Sequence, residues 1–371
     1  MSIAEEPELV AAVRLALVSG VGPLLRQRLL NRFGSPTAVL NAAPSDLRDV
    51  EGIGPKISKA ISAAEMEVDA EGEIASCRAN NIQILIDTEE SYPRALREIH
   101  DPPGILFVQG EIRPADALAI AIVGSRHATH YGLAQAERLG ASLSQAGLTI
   151  ISGLARGIDA AAHRGALSVG GRTIAVLGSG LLNIYPPEHV ELAREVIAHG
   201  ALISESPPQA APMSGAFPQR NRIISGMSLG IIVVEAAIRS GALITARHAM
   251  EQGRDVFAVP GRVDNRMSHG CHRLIRDGAK LTETAEDVLE ELGPLVAKTT
   301  VESGREVHHP AELLLNDMEQ KILDAISSEP TTIDRVIGVT GLPTPQVLAT
   351  ISVLEMRHLI QRVSGMRVIR R

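Results

Sequence analysis

The chain has 371 residues, of which 45% are apolar and 21% charged, with a formal net charge of −7. That length gives room for two or three domains with real cores, and the apolar content excludes a disordered chain. Two cysteines far apart, Cys77 and Cys271, exclude a disulfide framework or a cysteine zinc site.

No apolar run approaches the ~18 residues of a membrane span. The opening MSIAEEPELV is acidic where a signal peptide is basic and then apolar. A cytoplasmic protein with no membrane partner is expected. Net acidity does not exclude nucleic acid, because a local basic cleft binds phosphate whatever the total.

Residues 8–65 read as short helices, inside a helical domain placed at 1–72. Two similar pieces occur there: Val18–Pro23 before Leu24–Leu30, and Val50–Pro55 before Lys56–Ile61. Each sets a Gly-x-Gly hairpin ahead of a helix starting at Pro, a favoured first helical residue. The pair resembles the helix-hairpin-helix motif, whose hairpin amides meet DNA phosphate at a helix N-terminus. A small bundle whose turns need Gly accounts for the same residues, so both readings stand.

The central domain is placed at 73–292. An extension over 73–114 contains the strand-like Ile82–Ile86 and joins the sheet. From Ala115 onward, strands and helices alternate. Strands are expected at Ala119–Val123, Leu148–Ile151, Thr173–Leu177, Leu202–Ser204, Gly230–Val234 and Asp255–Val259. Helices are expected at Gly132–Gln145, Asp159–Ser168 and Pro187–Ala198. Short continuous apolar strands between helices imply a parallel sheet covered on both faces. This is an α/β, Rossmann-like doubly wound architecture, whose ligands sit at the carboxyl ends of the strands.

Gly, Ser and Arg residues fall where that rule puts a ligand. The first strand runs into Gly124-Ser125-Arg126, and the second into Ser152–Asp159, with Gly153, Ala155, Arg156 and Gly157. The third runs into Gly178-Ser179-Gly180 and then Tyr185-Pro186. Each offers free amides at a helix N-terminus, which suits an anion. Arg126 adds a planar fork for phosphate. A fourth cluster, Phe217-Pro-Gln219-Arg220-Asn221-Arg222, reads as a loop that sets cations beside an aromatic ring, as single-strand binding requires. Equally, Arg220 or Arg222 could pair with Glu205 or Glu235. The seven Tyr and Phe residues include three in these Gly/Pro-rich stretches, Tyr131, Tyr185 and Phe217.

Sharper chemistries are absent. The first loop is not G-x-G-x-x-G, there is no Walker A sequence, and Ser179 lies in Gly-Ser-Gly rather than G-x-S-x-G. His127 and His130 lack a third metal ligand and read as solvated or phosphate-facing. Cys271 and His272 read as structural, and Asp159 as a helix N-cap. No catalytic residue, metal or cofactor is expected.

Residues 293–312, including the polar stretch Gly293–Pro310, read as a linker, and 313–371 as a winged helix. Its helices are placed at Leu313–Ser327, Ile333–Thr340 and Thr344–Met356, ahead of a hairpin wing with strands Leu359–Val363 and Met366–Ile369. Beyond Glu355 come five Arg and no acid (Arg357, Arg362, Arg367, Arg370, Arg371). A basic wing points to duplex DNA, whereas the recognition helix TPQVLATISVLEM carries no Lys or Arg and fits a protein contact equally.

Taken together, several runs resemble the DNA-processing protein A (DprA/Smf) family. They are Val123–Arg126, Ser152–Asp159, Ala175–Gly180 with Tyr185-Pro186, Phe217–Gly226, Val234–Ala236, Ser240–Ala246, Val256–Gly261 and Leu274–Ala279. The resemblance covers the whole central domain in order. The flanks agree, since the family often carries an N-terminal SAM-like domain and a C-terminal winged helix. It implies a non-enzymatic protein that binds incoming single-stranded DNA in natural transformation, loads the RecA recombinase and forms a homodimer through the Rossmann-like domain. It implies that Arg126, the second glycine loop and the Phe217–Arg222 segment line the single-strand pocket, with a steep dependence of binding on salt. Two departures stand out: Pro187–Glu191 lacks the family's Asn and nearby Lys, and His272 replaces a common Asn. The alternative is a nucleotide-processing enzyme related to phosphoribohydrolases, but Ser240-Gly241-Ala242 lacks their catalytic acid.

Overall fold

The computed structural model describes residues 5–292, 299–300, 306–357 and 359–370. The chain forms two compact units, Met1–Leu281 and Thr282–Arg371. No single helix among the described residues is long and apolar enough to cross a membrane.

The first unit begins with seven helices: α1 (Glu5–Leu17), α2 (Pro23–Phe33), α3 (Pro36–Leu40), α4 (Pro44–Arg48), α5 (Pro55–Ser62), α6 (Ala64–Glu67) and α7 (Ala70–Ala79). Proline starts α2 to α5, where its missing N–H costs nothing. The two hairpins turn at Gly20 (φ 91°) and Gly52 (φ 95°), a region that L side chains avoid. Leu15, Leu29, Val39, Leu47 and Ile61 form the shared core. The two repeats differ in use. Arg26, in the first turn of α2, is buried and donates to both carboxylate oxygens of Asp87, at 2.6 and 2.9 Å. It fixes the helical region to the strand region, leaving that first turn to packing. In α5, Lys56 and Lys59 are exposed.

The strand region supplies β1 (Ile82–Ile86), α8 (Arg94–Arg97), β2 (Ile105–Gly110), β3 (Ala119–Val123), α9 (His130–Gln145), β4 (Thr149–Ser152), α10 (Ile158–Ser168), β5 (Thr173–Leu177), α11 (Val190–His199) and β6 (Ala201–Ser204). It continues with α12 (Ala216–Gly226), β7 (Gly230–Val233), α13 (Gly241–Glu251), β8 (Asp255–Ala258), α14 (His269–Arg276) and β9 (Lys280–Leu281). The nine strands lie in the order β1-β2-β6-β5-β4-β3-β7-β8-β9. From β6 to β9 every pairing is parallel. The expectation of a parallel sheet needs one correction: β2 pairs antiparallel with both β1 and β6. The 73–114 extension adds two strands without a crossover connection, so they run as an antiparallel pair.

Strand order grows in one direction from β3 to β4, β5 and β6, and in the other from β3 to β7 and β8. The switch point therefore lies between β3 and β7, where a doubly wound sheet opens a crevice. Central strands are buried throughout, as both-sided cover demands. The Phe217–Gly226 segment, read as a loop from its Pro and polar residues, is helix α12. Pro218 lies in its first turn, where proline is tolerated.

The second unit holds α15 (Ala285–Glu291), a ribbon of β10 (Thr299–Thr300) and β11 (Glu306–Val307), α16 (Asp317–Asp324), β12 (Thr331–Thr332), α17 (Ile333–Thr340), α18 (Thr344–Met356), β13 (Ile360–Val363) and β14 (Arg367–Arg370). Helix α15 falls within the 73–292 range expected from sequence for the central domain. The linker expected at 293–312 carries the ribbon, and its residues 293–298 and 301–305 lie outside the described residues. The first expected helix shortens to α16, because Asn316 caps it by accepting from the amides of Met318 and Glu319. Strands β12, β14 and β13 form the three-stranded wing sheet over a core of Ile322, Ile333, Val336, Ile351 and Val368. The basic wing is largely neutralised within this unit. Arg357 pairs with Glu319 (3.2 Å), Arg362 with Glu355 (2.8 Å) and Arg370 with the buried Glu312 (2.7 Å). Arg367 is exposed, and Arg371 lies outside the described residues.

Candidate nucleic-acid interface

A cavity of about 790 Å³ opens at the carboxyl end of the sheet, at the switch point. One wall is the loop after β3. A Cβ on Gly124 would lie 2.6 Å from Ile158 and 2.9 Å from the Glu235 carbonyl, so glycine lets this loop sit down on α10. Ser125 is buried and its hydroxyl accepts from the His127 amide at 3.1 Å, closing a tight turn. Arg126 is thereby pushed out into the cavity mouth. Its guanidinium stands 5.3 Å from the centroid of the Phe217 ring, and among the described residues no carboxylate forms an ion pair with it.

The floor is the glycine loop after β4. Asp159 is buried, and one of its oxygens accepts from the amides of Gly153 (3.1 Å) and Ala155 (3.4 Å). It therefore shapes the loop, while the helix cap itself is Gly157. Burial pushes this carboxyl up, opposed by the charge of Arg220 and by those two amides. Gly157 has φ 75°, and a Cβ there would meet the Ser125 carbonyl at 2.2 Å. The first and second loops are thus packed backbone to backbone. Arg156 lines a small recess beside the cavity, with Arg126, Tyr185 and Phe217, and pairs there with the half-exposed Glu188. Glu188 belongs to the Pro187–Glu191 stretch that departs from the family pattern, and so does His189, whose Nδ1 donates to the Leu154 carbonyl at 2.8 Å. That stretch buttresses the glycine loop instead of offering a cation.

The third element is aromatic. Phe217 lies on α12 and Tyr185 follows β5, with ring centroids 5.7 Å apart at an interplanar angle of 45°. Gly178 has no side chain because a Cβ there would lie 2.7 Å from the Phe217 ring. Ser179 is buried and faces its own loop, its hydroxyl donating to the Asn183 carbonyl at 2.7 Å. It does not reach the cavity.

Helix α12 divides its polar residues by direction. Asn221 lines the cavity. Gln219 is exposed outside it. Arg220 is buried beneath the glycine loop, donating to the carbonyls of Gly153 (2.9 Å) and Val176, and burial pushes its guanidinium down to about 10. Arg222 is buried and turned away, bonded to Glu205 (2.6 Å) and Asp101 (3.2 Å). Burial pushes the Glu205 carboxyl up against the pull of Arg222. Of the two arginines expected beside Phe217, Arg220 braces the floor and Arg222 makes the buried ion pair. Neither is a free cation.

The fourth wall was missed from sequence: the loop after β7, with Ala237, Arg239, Ser240 and Gly241, and then Thr245 of α13. The signal was available, since Arg239-Ser240-Gly241 follows a strand and opens a helix as Gly124-Ser125-Arg126 does. His127 also lines the cavity. Among the described residues no group of three or more His, Cys, Asp and Glu is placed to hold a metal. Cys271 is buried against the Val233 carbonyl, and burial pushes its thiol up to about 12, as suits a structural residue.

Fold and site define a class: a Rossmann-like α/β protein with an arginine- and aromatic-lined crevice at its switch point. Along the chain a helical region with two Pro-started hairpin repeats precedes it and a winged helix follows it. The family model for DNA recombination-mediator protein A matches residues 83–293. The models for a SAM-like helix-hairpin-helix tandem and for the DprA winged helix domain match 13–64 and 307–366. The chain is 36% identical to Protein Smf of Synechocystis sp., over 95% of this chain and 96% of that one. The X-ray structure of DNA processing protein A from Streptococcus pneumoniae superposes with a TM-score of 0.67 at 35% identity, over 76% of this chain and 98% of that one. A structure of DNA processing protein A from Helicobacter pylori, described for its single-stranded DNA binding mode, gives 0.51 at 29% identity, over 56% and 93%. The chain belongs to the DNA recombination-mediator protein A family, also named DprA or Smf.

Proposed function

We propose that the switch-point crevice binds single-stranded DNA. We further propose that the protein acts as a non-enzymatic recombination mediator that delivers the strand to RecA during natural transformation, in the cytoplasm and as a homodimer through its Rossmann-like unit. The observation that carries this reading is Arg126: an exposed cation with no carboxylate ion pair among the described residues, held over the Phe217 ring at the carboxyl end of a parallel sheet. Cation and ring together suit a phosphate and the face of an unpaired base. A duplex keeps its bases stacked and offers the ring nothing. The single-strand binding mode named for the Helicobacter pylori relative supports the same ligand.

Arg156, Arg220 and Arg222 are engaged within the protein, so few phosphates are gripped. The salt dependence follows as a shallow one instead of the steep one the sequence implies. Against hydrolysis of a nucleotide, Asp159, a carboxyl lining the cavity, is occupied by loop amides.

The test is an anisotropy titration of labelled oligo-dT against a duplex of equal length, at several salt concentrations. Single strands should bind at least tenfold tighter. Equal affinity for both, or release of free base from a nucleoside monophosphate, would overturn the reading. RecA filament assembly on the preformed protein–DNA complex, and light scattering of the free protein, test the mediator role and the dimer.

A further inference from the structure

Arg239 stands on the wall that sequence reasoning missed. It is exposed, it lines the same cavity as Arg126, and among the described residues it has neither a hydrogen-bond nor an ion-pair partner. Its loop leaves β7 and the Arg126 loop leaves β3, neighbouring strands in register from Ile120↔Gly230 to Val123↔Val233. The two loops therefore leave adjacent strands, which run about 4.8 Å apart, on either side of the switch point. The aromatic pair lies further along the same edge, because Tyr185 follows β5 and Phe217 packs on Gly178 at the end of β5. In the strand order β5-β4-β3-β7, the carboxyl edge thus presents rings, then Arg126, then Arg239.

The setting of Arg239 favours an anion. Ser240 follows it and caps α13 by accepting from the Ala242 amide at 3.3 Å, which leaves the positive end of an eleven-residue helix facing the cavity. Asn221 of α12 reaches the Gly241 carbonyl at 3.5 Å and ties that loop to the helix bearing Phe217. A mononucleotide has one phosphate group to hold, whereas a polymer has a phosphate on each side of every sugar.

We propose that Arg239 is a second phosphate contact, taking the phosphodiester next to the one held by Arg126. A strand then lies along the carboxyl edge of the sheet, with a base on the Phe217–Tyr185 pair and two successive phosphates on Arg126 and Arg239. The smallest ligand that fills the crevice is a dinucleotide step. This rests on the single-strand reading of the site.

The experiment compares the full chain with Arg239→Ala, Arg239→Lys and Arg126→Ala. Oligo-dT binding is measured across a salt series, and unlabelled pTpT and dTMP are used as competitors. Arg239→Ala should weaken oligo-dT by about tenfold and make the slope of log K against log salt shallower by about 0.7, the increment for one single-strand phosphate. It should abolish the advantage of pTpT over dTMP while leaving dTMP competition unchanged. Arg239→Lys should restore the slope. Since Arg239 is exposed, its melting temperature should match the wild type, which separates lost contact from lost fold. Unchanged affinity and slope in Arg239→Ala, with clear loss in Arg126→Ala, overturns the second contact and leaves the site standing. Unchanged binding in both variants overturns the second contact and the site together.

Discussion

Replacing Arg126 by Ala removes a side chain that contacts the Phe217 ring and, among the described residues, no carboxylate. Folding should hardly notice: an exposed cation over a ring contributes ~0.5–1 kcal/mol. Binding should notice more. A charge-assisted hydrogen bond to phosphate is worth about 1.5–3 kcal/mol, so a loss of about 2–3 kcal/mol is expected, or roughly 30- to 150-fold in Kd. Anisotropy with labelled oligo-dT measures this, and a thermal melt of the same sample measures the fold. Arg126→Lys should recover part of the affinity, since it keeps the charge and loses the planar fork. Retained single-strand affinity in Arg126→Ala would refute the assignment of this loop. So would an equal loss accompanied by a melting point lowered by many degrees, because the effect would then be one of folding.

Other outcomes follow from the buried groups. The Thr173 hydroxyl donates to the Ile150 carbonyl at 2.8 Å, so it accepts from Nδ1 of His163 at 2.7 Å, leaving Nε2 buried and, among the described residues, without a partner. Burial, the largest cause, and nearby positive groups push His163 down to about 3 from an ordinary 6.5. The folded value lies below the unfolded one, so this stability is full above pH 6.5 and is lost as pH falls toward 3. Urea denaturation should show the protein about 2 kcal/mol less stable at pH 5 than at pH 7, a difference that His163→Leu should remove. Arg222→Ala strands Asp101 and Glu205, each about a third exposed, and should cost about 2–3 kcal/mol in a chemical melt, with oligo-dT affinity kept below the transition. Gly157→Ala meets both a positive φ and the Ser125 carbonyl. It should cost at least about 1–2 kcal/mol and also weaken oligo-dT binding, because relief must come by moving the Arg126 loop. A melt with no change in binding would separate the two loops.

The alternation of apolar runs and helices made β3 through β8 legible, since each strand is continuous and apolar. The glycine loops were legible because their position after strands carries the meaning. Three things were not. Helix α12 was hidden by Pro218, which signals a loop unless it falls in a first turn. The directions of Arg220 and Arg222 were hidden because neighbours on a helix point to different sides, and only packing says which side is inside. The wing arginines Arg357, Arg362 and Arg370 looked basic because their partners Glu319, Glu355 and Glu312 are contributed mostly from earlier elements. A run of like charge in sequence is a field only if nothing folds back onto it.

Helix α12 is bolted at two points: Arg220 ties it to the ends of β4 and β5, and Arg222 ties it to Asp101 and Glu205. The Phe217 ring is therefore a fixed anvil, and in the proposed complex the conformational loss on association falls on the DNA. Strands that are already supple, such as oligo-dT, should enter readily. Oligo-dA must first break its own stacking and should associate more slowly with the same pocket. Base preference would then come from the stiffness of the guest.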